Sequence, residues 1–279
     1  MTPTPERDGD DEVIRCGDLT VIGRIRSASN ATFLCEANYG ERQAHCVYKP
    51  VAGEAPLWDF PDGTLAGREV SAYLVSAAMG WNVVPYTVVR DGPAGRGMVQ
   101  RWVDQPGDAL DDGDPVDEPP AGPDLVDLLP VDGIPPGFLP IVQAYDYAGA
   151  EVTLVHADDD RLRRMAVFDV LINNADRKGG HILSCVDGNV YGVDHGVSLH
   201  TEDKLRTVLW GWAGKPVDDE ALAAVAVLRD ALLGDLDETL RPHLTHREID
   251  ALYARAVGLL AHPVMPSPNR RRPIPWPAF

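Results

Sequence analysis

The sequence predicts an α+β protein with a two-lobed plan, and three observations support this. Short runs rich in β-branched and aromatic residues, separated by turn formers, fill the first part of the chain. Apolar residues at helical spacing dominate the last part. Between them lies a stretch dense in Asp, Pro and Gly. We therefore expect a flexible tail over 1–16, a β-rich lobe over 17–103, a linker or lid over 104–136 and a mainly helical lobe over 137–279.

The predicted β-rich lobe begins with an antiparallel meander. Its strands are "DLTVIGRI" (18–25), "ATFLCEA" (31–37) and "AHCVYKP" (44–50). The first strong helix is predicted at 63–81, where Gly80 lies at the position of a C-terminal stop. Two further strands, "VVPYTVVRD" and "GRGMVQRWV", flank the turn "DGPAG".

The predicted helical lobe contains three clear helices. The first is "DDDRLRRMAVFDVLINN", in which an Asp supplies the N-cap. The others are amphipathic and span 218–234 and 245–261. The last of them begins with a capping box formed by Thr245 and Glu248.

The composition argues against several classes of protein. The net charge is −18 and the pI is near 4.7, whereas binding to nucleic acid or to an anionic membrane needs clustered Lys and Arg. No apolar run is long enough to span a bilayer, and no apolar leader is present. The four cysteines lack metal-site spacing and suit a reducing compartment. We therefore expect a cytoplasmic protein.

The stretch "NNADRKGGHILSCVDGNVYGVDHGVSLH" (173–200) places two carboxylates at a suggestive interval. Asp176 follows a predicted helix, and Asp194 lies beyond a predicted hairpin. Protein kinases use this order: one carboxylate orients the acceptor hydroxyl, and the second holds the metal that bridges phosphate oxygens. Two such Asp residues alone are more often structural, so the interpretation depends on the upstream chain.

Three upstream features follow the order that a kinase requires. Lys49 ends the third predicted strand, where kinases place the lysine that binds the α- and β-phosphates. Glu69 lies on the next helix, where kinases place the glutamate that pairs with that lysine. The strand at 97–103 would run into a hinge at the adenine edge. Together these features predict an ATP-dependent phosphotransferase that uses Mg²⁺ or Mn²⁺.

The segments "REVSAYLVSAAMGWNVVPYTVV", "DRKGGHIL" and "YGVDHG" resemble the phosphatidylinositol 3- and 4-kinase superfamily. The similarity is closer to an uncharacterised bacterial family of this length and more distant to toxin–antitoxin kinases of the HipA type. It covers roughly residues 17–200. The resemblance implies a two-lobed, protein-kinase-like fold.

The resemblance also implies roles for individual residues. Lys49 would bind the phosphates of ATP, Glu69 would position it, and Asp176 would be the catalytic base. His181 and Asp194 would bind the metal. The adenine hinge would be formed by Gln100, Arg101, Trp102 and Val103.

Departures from the family pattern leave alternatives open. Lys178 replaces the loop His, so a cation stays near the γ-phosphate and Lys178 becomes a catalytic candidate. His181 replaces Asn, and imidazole matches Mg²⁺ less well than an amide oxygen does, which favours Mn²⁺. His195 replaces the Phe of D-F-G. The alternatives are an inactive nucleotide-binding module, a phosphoinositide kinase or an AMP-transferring enzyme.

The phosphate loop also departs from the expected pattern, because no G-x-G-x-x-G is present. In "GRIRSASNATF", Ser27, Ser29 and Asn30 lie in a turn whose backbone N–H groups could cradle phosphates. The alternative is a polar hairpin loop without a ligand. The acceptor is unidentified, and the acidic charge favours a hydroxyl on a protein or a soluble metabolite over one on a lipid.

Overall fold

A computed structural model describes residues 5–25, 30–106, 124–146 and 148–279, and a β-rich region precedes a mainly helical one. In these ranges the helices are α1 (Pro5–Cys16), α2 (Leu65–Ala78), α3 (Asp160–Ile172), α4 (Asp219–Ala231), α5 (Asp235–Leu240) and α6 (His246–Ala261). The strands are β1 (Asp18–Arg24), β2 (Phe33–Tyr39), β3 (Arg42–Pro50), β4 (Thr87–Gly92), β5 (Gly95–Arg101), β6 (Val126–Pro130), β7 (Phe138–Tyr145), β8 (Glu151–Ala157), β9 (Ile182–Ser184) and β10 (Val190–Gly192).

The first five strands form one antiparallel sheet in the order β1-β2-β3-β5-β4. The predicted meander is confirmed, with Cys35 of β2 opposite Cys46 of β3. The predicted hairpin of β4 and β5 is confirmed as well. In the pairing of β3 with β5, Lys49 lies opposite Met98. The end of β3 is therefore in the interior of the sheet.

Helix α1 corrects the expectation of a flexible tail over 1–16 for residues 5–16, and residues 1–4 lie outside the described ranges. Val13 and Ile14 have no exposed surface and pack with Cys46 and Tyr48 on one face of the sheet. The acidic composition of the segment predicted mobility. Two apolar residues near the end of the segment are nevertheless enough to dock it, because burial against the sheet outweighs local composition.

Helix α2 packs on the opposite face of the sheet. Thr64 caps it by accepting a hydrogen bond from the Gly67 N–H, and Val70 packs with Met98. Successive side chains of a strand point to opposite faces. Because Tyr48 lies in the cluster with α1, the next residue, Lys49, points towards α2.

Strand β6 corrects the interpretation of 104–136 as wholly irregular. It pairs with β8 in a three-stranded antiparallel sheet ordered β6-β8-β7. The Asp- and Pro-rich composition concealed its alternation of buried and exposed residues. Strands β7 and β8 were also not predicted. Residues 107–123 lie outside the described ranges.

The three predicted helices of the C-terminal region are confirmed as α3, α4 and α6. Asp159 caps α3 through the Arg161 N–H, and the helix ends at Asn173 with a left-handed φ of 54°. The predicted capping box of Thr245 and Glu248 begins α6. Helix α3 lies in the main apolar core, with its side chains largely buried.

The chain after α3 leads into the predicted hairpin. Strands β9 and β10 pair antiparallel, with Ser184 opposite Val190. In the described ranges, every helix is too short or too polar to cross a bilayer.

A buried ion pair joins α2 to α6. The Arg68 guanidinium contacts the Glu248 carboxylate. It also donates hydrogen bonds to the carbonyl oxygens of Ser198 at 2.8 Å and Asp62 at 2.9 Å. Both charged side chains are almost fully buried, so neither charge could be solvated if its partner were removed.

Replacing Arg68 with Met should lower the free energy of unfolding by about 3–5 kcal/mol, because Glu248 then stays buried without a counter-charge. Arg164→Met removes an exposed ion pair with Glu220 and should cost about 1 kcal/mol or less. Urea unfolding followed by circular dichroism measures both values. Equal losses in the two variants would contradict the prediction.

Candidate active site

Lys49 is the centre of an ion-pair cluster. Its Nζ lies 2.8 Å from Oε1 of Glu69 and also contacts Oδ1 of Asp194. The lysine is on β3, the glutamate on α2, and the aspartate follows β10. Burial disfavours the charge on Lys49, but the two carboxylates outweigh burial and raise the pKa of the ammonium group.

Glu69 connects the lysine to the chain after β10. One of its oxygens accepts a hydrogen bond from Lys49, and the other accepts one from the backbone N–H of His195 at 2.9 Å. The glutamate side chain is only 4% exposed. It therefore fixes the positions of both groups from within the protein.

Asp194 has an uncommon backbone conformation. Its φ of +58° lies in the left-handed region, which Asp tolerates better than most non-glycine residues. Burial acts to raise the pKa of its carboxyl group, but Lys49 and His181 act against burial and lower the pKa to about 2. The carboxylate is therefore ionised at neutral pH. Backbone outliers of this kind concentrate at functional sites.

His181 faces Asp194 in its neutral form. Its Nδ1 lies 2.9 Å from the carbonyl oxygen of Asp176, and a carbonyl only accepts, so Nδ1 carries the proton. Nε2 therefore has a free lone pair, 3.5 Å from Oδ2 of Asp194. Burial lowers the pKa of His181 to about 4, although Asp194 opposes the shift. Metal-binding histidines are typically held in this way, with the second nitrogen donating to a carbonyl.

Asp176 and Lys178 form a second charged pair in the loop after α3. The Lys178 Nζ lies 3.5 Å from Oδ2 of Asp176. Burial raises the pKa of Asp176, and Lys178 opposes that shift. The Asp176 backbone N–H donates to the side-chain oxygen of Asn174 at 3.0 Å, which fixes the loop at this point.

Arg177 is the buried support of the site. Its guanidinium binds both carboxylate oxygens of Asp169, at 2.9 and 3.0 Å. It also donates to the carbonyl oxygens of His181 at 3.2 Å and Val193 at 3.3 Å, and it contacts Nε2 of His195 at 2.7 Å. The side chains of Arg177 and Asp169 have no exposed surface. One guanidinium thus joins the loop after α3 to the segment after β10.

The residues around Arg177 leave space for its guanidinium group. A Cβ atom on Gly192 would lie 2.8 Å from Nη2 of Arg177, so only glycine leaves room for the buried guanidinium against β10. His195 packs edge-to-face on Phe168, with ring centroids 5.8 Å apart. Burial and the charge of Arg177 hold the pKa of His195 well below its usual range, so this ring is neutral.

A cavity of about 420 Å³ brings most of the predicted residues together. The predicted residues that line it are Asn30, Lys49, Glu69, Asp176, Lys178, His181 and Asp194. Glu54 also lines it and was missed in the sequence. Its carboxylate accepts hydrogen bonds from the N–H groups of Leu65 at 3.0 Å and Ala66 at 2.8 Å. No local signal marks Glu54, because it lies 11 residues before Leu65.

The predicted phosphate loop is only partly described. Ser27 and Ser29 lie outside the described residues. The side-chain oxygen of Asn30 accepts a hydrogen bond from the Ala55 N–H at 3.0 Å, which joins the loop to the segment before α2. A phosphate-binding role for these residues stays a prediction.

The predicted hinge residues are not among those that line this cavity. Gln100 donates from its side-chain amide to Thr87 at 2.9 Å, and the backbone N–H of Trp102 donates to the His45 carbonyl at 3.0 Å. The hinge assignment stays a prediction for all four residues, namely Gln100, Arg101, Trp102 and Val103.

A metal site at this position would need ligands from outside the chain. In the described ranges, no three His, Cys, Asp or Glu side chains are grouped to share an ion. His181 and Asp194 would be the two protein ligands. Nucleotide-dependent Mg²⁺ sites are often built this way, with water and phosphate oxygens completing the shell.

The fold and site define a mixed α/β protein in which a lysine from a sheet, a glutamate from a helix and an aspartate after a hairpin meet at a cavity. The chain belongs to the same family as Protein Rv2133c of Mycobacterium tuberculosis, which is 68% identical over 273 residues that cover 98% of this chain and 96% of that protein. No family model matches the sequence. The resemblance to phosphatidylinositol 3- and 4-kinases therefore stays an expectation.

Among solved structures, the Helicobacter pylori proinflammatory kinase CtkA is similar over 90% of this chain and 93% of its own. The TM-score is 0.42 and the sequence identity is 9%. A likeness at this level establishes neither fold nor activity.

His181 should titrate near pH 4, and above that pH its ¹⁵N shifts should report a proton on Nδ1. Asp194→Asn should lower this pKa further, because the carboxylate that favours the charged ring is removed. NMR titration of the imidazole signals, assigned with His181→Asn, measures both. Titration near the ordinary histidine value of about 6.5 would contradict the prediction.

Proposed function

We propose that this chain is an ATP-dependent phosphotransferase that acts on a hydroxyl group. The observation that supports this best is the contact of Lys49 with both Glu69 and Asp194, beside a cavity that Asp176 also lines. Kinases combine a strand lysine, a helix glutamate, a loop aspartate and a metal-binding aspartate in this chain order. A two-lobed, protein-kinase-like arrangement is the fold that this order favours.

Lys49 is suited to hold phosphate oxygens. An ammonium group has three N–H donors, and two of them serve Glu69 and Asp194. The third is left for a ligand in the cavity. Because Glu69 is buried and also bonds the His195 N–H, it would hold the ammonium group in place when a nucleotide enters.

His181 and Asp194 fit a divalent cation. The neutral Nε2 atom and the ionised carboxylate present two ligand groups 3.5 Å apart. A bound Mg²⁺ or Mn²⁺ would neutralise charge on the triphosphate. The mixed nitrogen and oxygen donors suit Mn²⁺ at least as well as Mg²⁺.

Asp176 would orient the acceptor and take its proton. The acceptor oxygen forms a bond to the γ-phosphorus, and the bond from that phosphorus to the leaving oxygen of ADP breaks. The hydroxyl proton passes to the Asp176 carboxylate and then to solvent, so the products are a phosphate ester and ADP. Lys178, 3.5 Å from Asp176, would stabilise the charge on the phosphoryl group in transfer.

A nucleotide-binding module that transfers nothing is the second candidate. His181 favours it, because an imidazole nitrogen stands where kinases place an amide oxygen, and Mg²⁺ prefers oxygen ligands. Such a module would still bind nucleotide through Lys49 and Asp194. The two candidates therefore differ in turnover and agree in binding.

Asp194→Ala should abolish metal-dependent binding of a nucleotide, because it removes a cation ligand. Asp176→Asn should keep that binding and lower ATP turnover by about 10²–10⁴-fold, the usual effect of losing a general base. Calorimetry with a non-hydrolysable ATP analogue measures binding, and ADP release with Mg²⁺ or Mn²⁺ measures turnover. Mass spectrometry distinguishes an added phosphate from an added AMP.

Asp250→Ala, an exposed charge change on α6, is the matched control and should leave both properties unchanged. Equal nucleotide binding by the wild type and Asp194→Ala would contradict the proposal. Binding without turnover in either metal would support the non-transferring module.

Lys178→Met should move the acid limb of the pH–rate profile to higher pH. Turnover needs the ionised form of Asp176, so it falls as the pH drops through the pKa of that carboxyl group. Burial raises this pKa and Lys178 opposes the rise, so removing the lysine raises the pKa further. Lys215→Met, at an exposed position, is the control. A limb that stays in place or moves to lower pH would contradict the assignment.

A further inference from the structure

Two distant segments lie beside the loop that carries Asp176. The backbone of Arg206 bonds to two residues of this loop. Its N–H donates to the Asn174 carbonyl at 2.9 Å, and its carbonyl accepts from the Arg177 N–H at 3.0 Å. The next residue, Thr207, donates to the carbonyl of Pro273 at 3.1 Å. The backbones on both sides of Asp176 are thus paired with a basic residue from much later in the chain.

The C-terminal segment then continues along the same loop. The Gly179 N–H donates to the Ala278 carbonyl at 2.7 Å. A Cβ atom on Gly179 would lie 2.4 Å from the ring of Phe279, so the ring packs directly on this glycine. The C-terminal segment from Pro273 to Phe279 therefore contacts Thr207 at one end and Gly179, in the loop that carries Asp176, at the other.

These contacts bring the backbones of three basic residues, Lys178, Arg206 and Arg272, to the loop that carries Asp176 or next to a segment bonded to it. We call them the basic rim. Arg206 and Arg272 are exposed, and no carboxylate of the described chain forms an ion pair with either. Arg206 also acts on Asp176, since its charge is among those that hold down the pKa of that carboxyl group.

The acidic residues close to the rim in sequence have other partners. Asp203 accepts a hydrogen bond from Asn269 at 2.7 Å and lies 3.8 Å from Arg270. Glu202 lies 3.9 Å from Lys204. Within the described residues, the two arginines of the rim therefore lack a carboxylate partner, on a chain whose net charge is −18.

We propose that the basic rim recognises the acceptor, and that the acceptor is a hydroxyl compound that also carries a phosphate group. The inference rests on the proposed phosphotransfer function. A guanidinium group binds phosphate oxygens through two parallel hydrogen bonds, and neither rim arginine forms an ion pair within the described residues. The Arg206 backbone is bonded to Asn174 and Arg177, on either side of Asp176, so a phosphate held by the two arginines would bring the hydroxyl of a small molecule towards Asp176.

Binding of ribose 5-phosphate and of ribose tests this chemistry. Each is titrated by calorimetry into protein saturated with Mn²⁺ and a non-hydrolysable ATP analogue, so that the nucleotide site is already filled. Ribose 5-phosphate should bind at least about tenfold more tightly than ribose, since hydrogen bonds between charged groups contribute that much. The double variant Arg206→Ala/Arg272→Ala should lose this preference.

The matched control is Arg229→Ala/Arg247→Ala, which makes the same charge change on α4 and α6 and should keep the preference. Nucleotide affinity is measured first in every sample. If the wild type binds no nucleotide, the proposed function fails. If nucleotide binds but the phosphate preference is absent, or survives in the rim variant, only this inference fails. A loss of nucleotide affinity in the rim variant equal to the loss for ribose 5-phosphate would also overturn it.

Two further probes identify the source of the phosphate. Vesicles of phosphatidylglycerol present a phosphate and free hydroxyls on a lipid, and rim-dependent binding to them alone would support the same chemistry on a lipid head group. A serine peptide flanked by glutamates presents a protein acceptor. Rim-dependent binding of the peptide alone would overturn the inference.

Discussion

The contact of Lys49 with Glu69 and Asp194 is the interaction on which the rest of the site depends. Three charged groups from a sheet, a helix and a post-hairpin segment meet there. A largely buried ammonium group needs counter-charges, and two carboxylates in contact with it need a cation between them. The ammonium group and the two carboxylates thus stabilise one another. The sheet, α2 and the segment after β10 are fixed relative to one another by a single positive charge.

Arg177 fixes the backbone in the way that Lys49 fixes the side chains. Arginine keeps its charge at every relevant pH and has five donors in a planar fork. In this chain those donors serve Asp169 and two backbone carbonyls on opposite sides of the hairpin. The separation of His181 from Asp194 is consequently determined by a buried network. Solvent-exposed side chains, which move more freely, do not determine it.

The sequence predicted the residues of the site better than the segments that pack around the site. Lys49, Glu69, Asp176 and Asp194 could be grouped because they follow the chain order that kinases use, on or after elements whose type is readable from periodicity and caps. Helix α1, strand β6 and the capping role of Glu54 could not be predicted in this way. Each depends on a partner distant in sequence, and local composition does not indicate that partner. The roles assigned to the hinge and the phosphate loop remain predictions.

The strong negative charge of the chain is compatible with a site for anions. Salt screens charges beyond about 8–10 Å, so the nearest groups govern binding at the site and the net charge of −18 has little influence there. Within the cavity, the charge of Lys49 is already balanced by Glu69 and Asp194. On the proposed function, a triphosphate would therefore enter with a divalent cation, for which His181 and Asp194 would be the protein ligands. At the rim, Arg206 and Arg272 form no ion pair within the described residues, so the proposed phosphate-bearing acceptor would bind there without a metal ion.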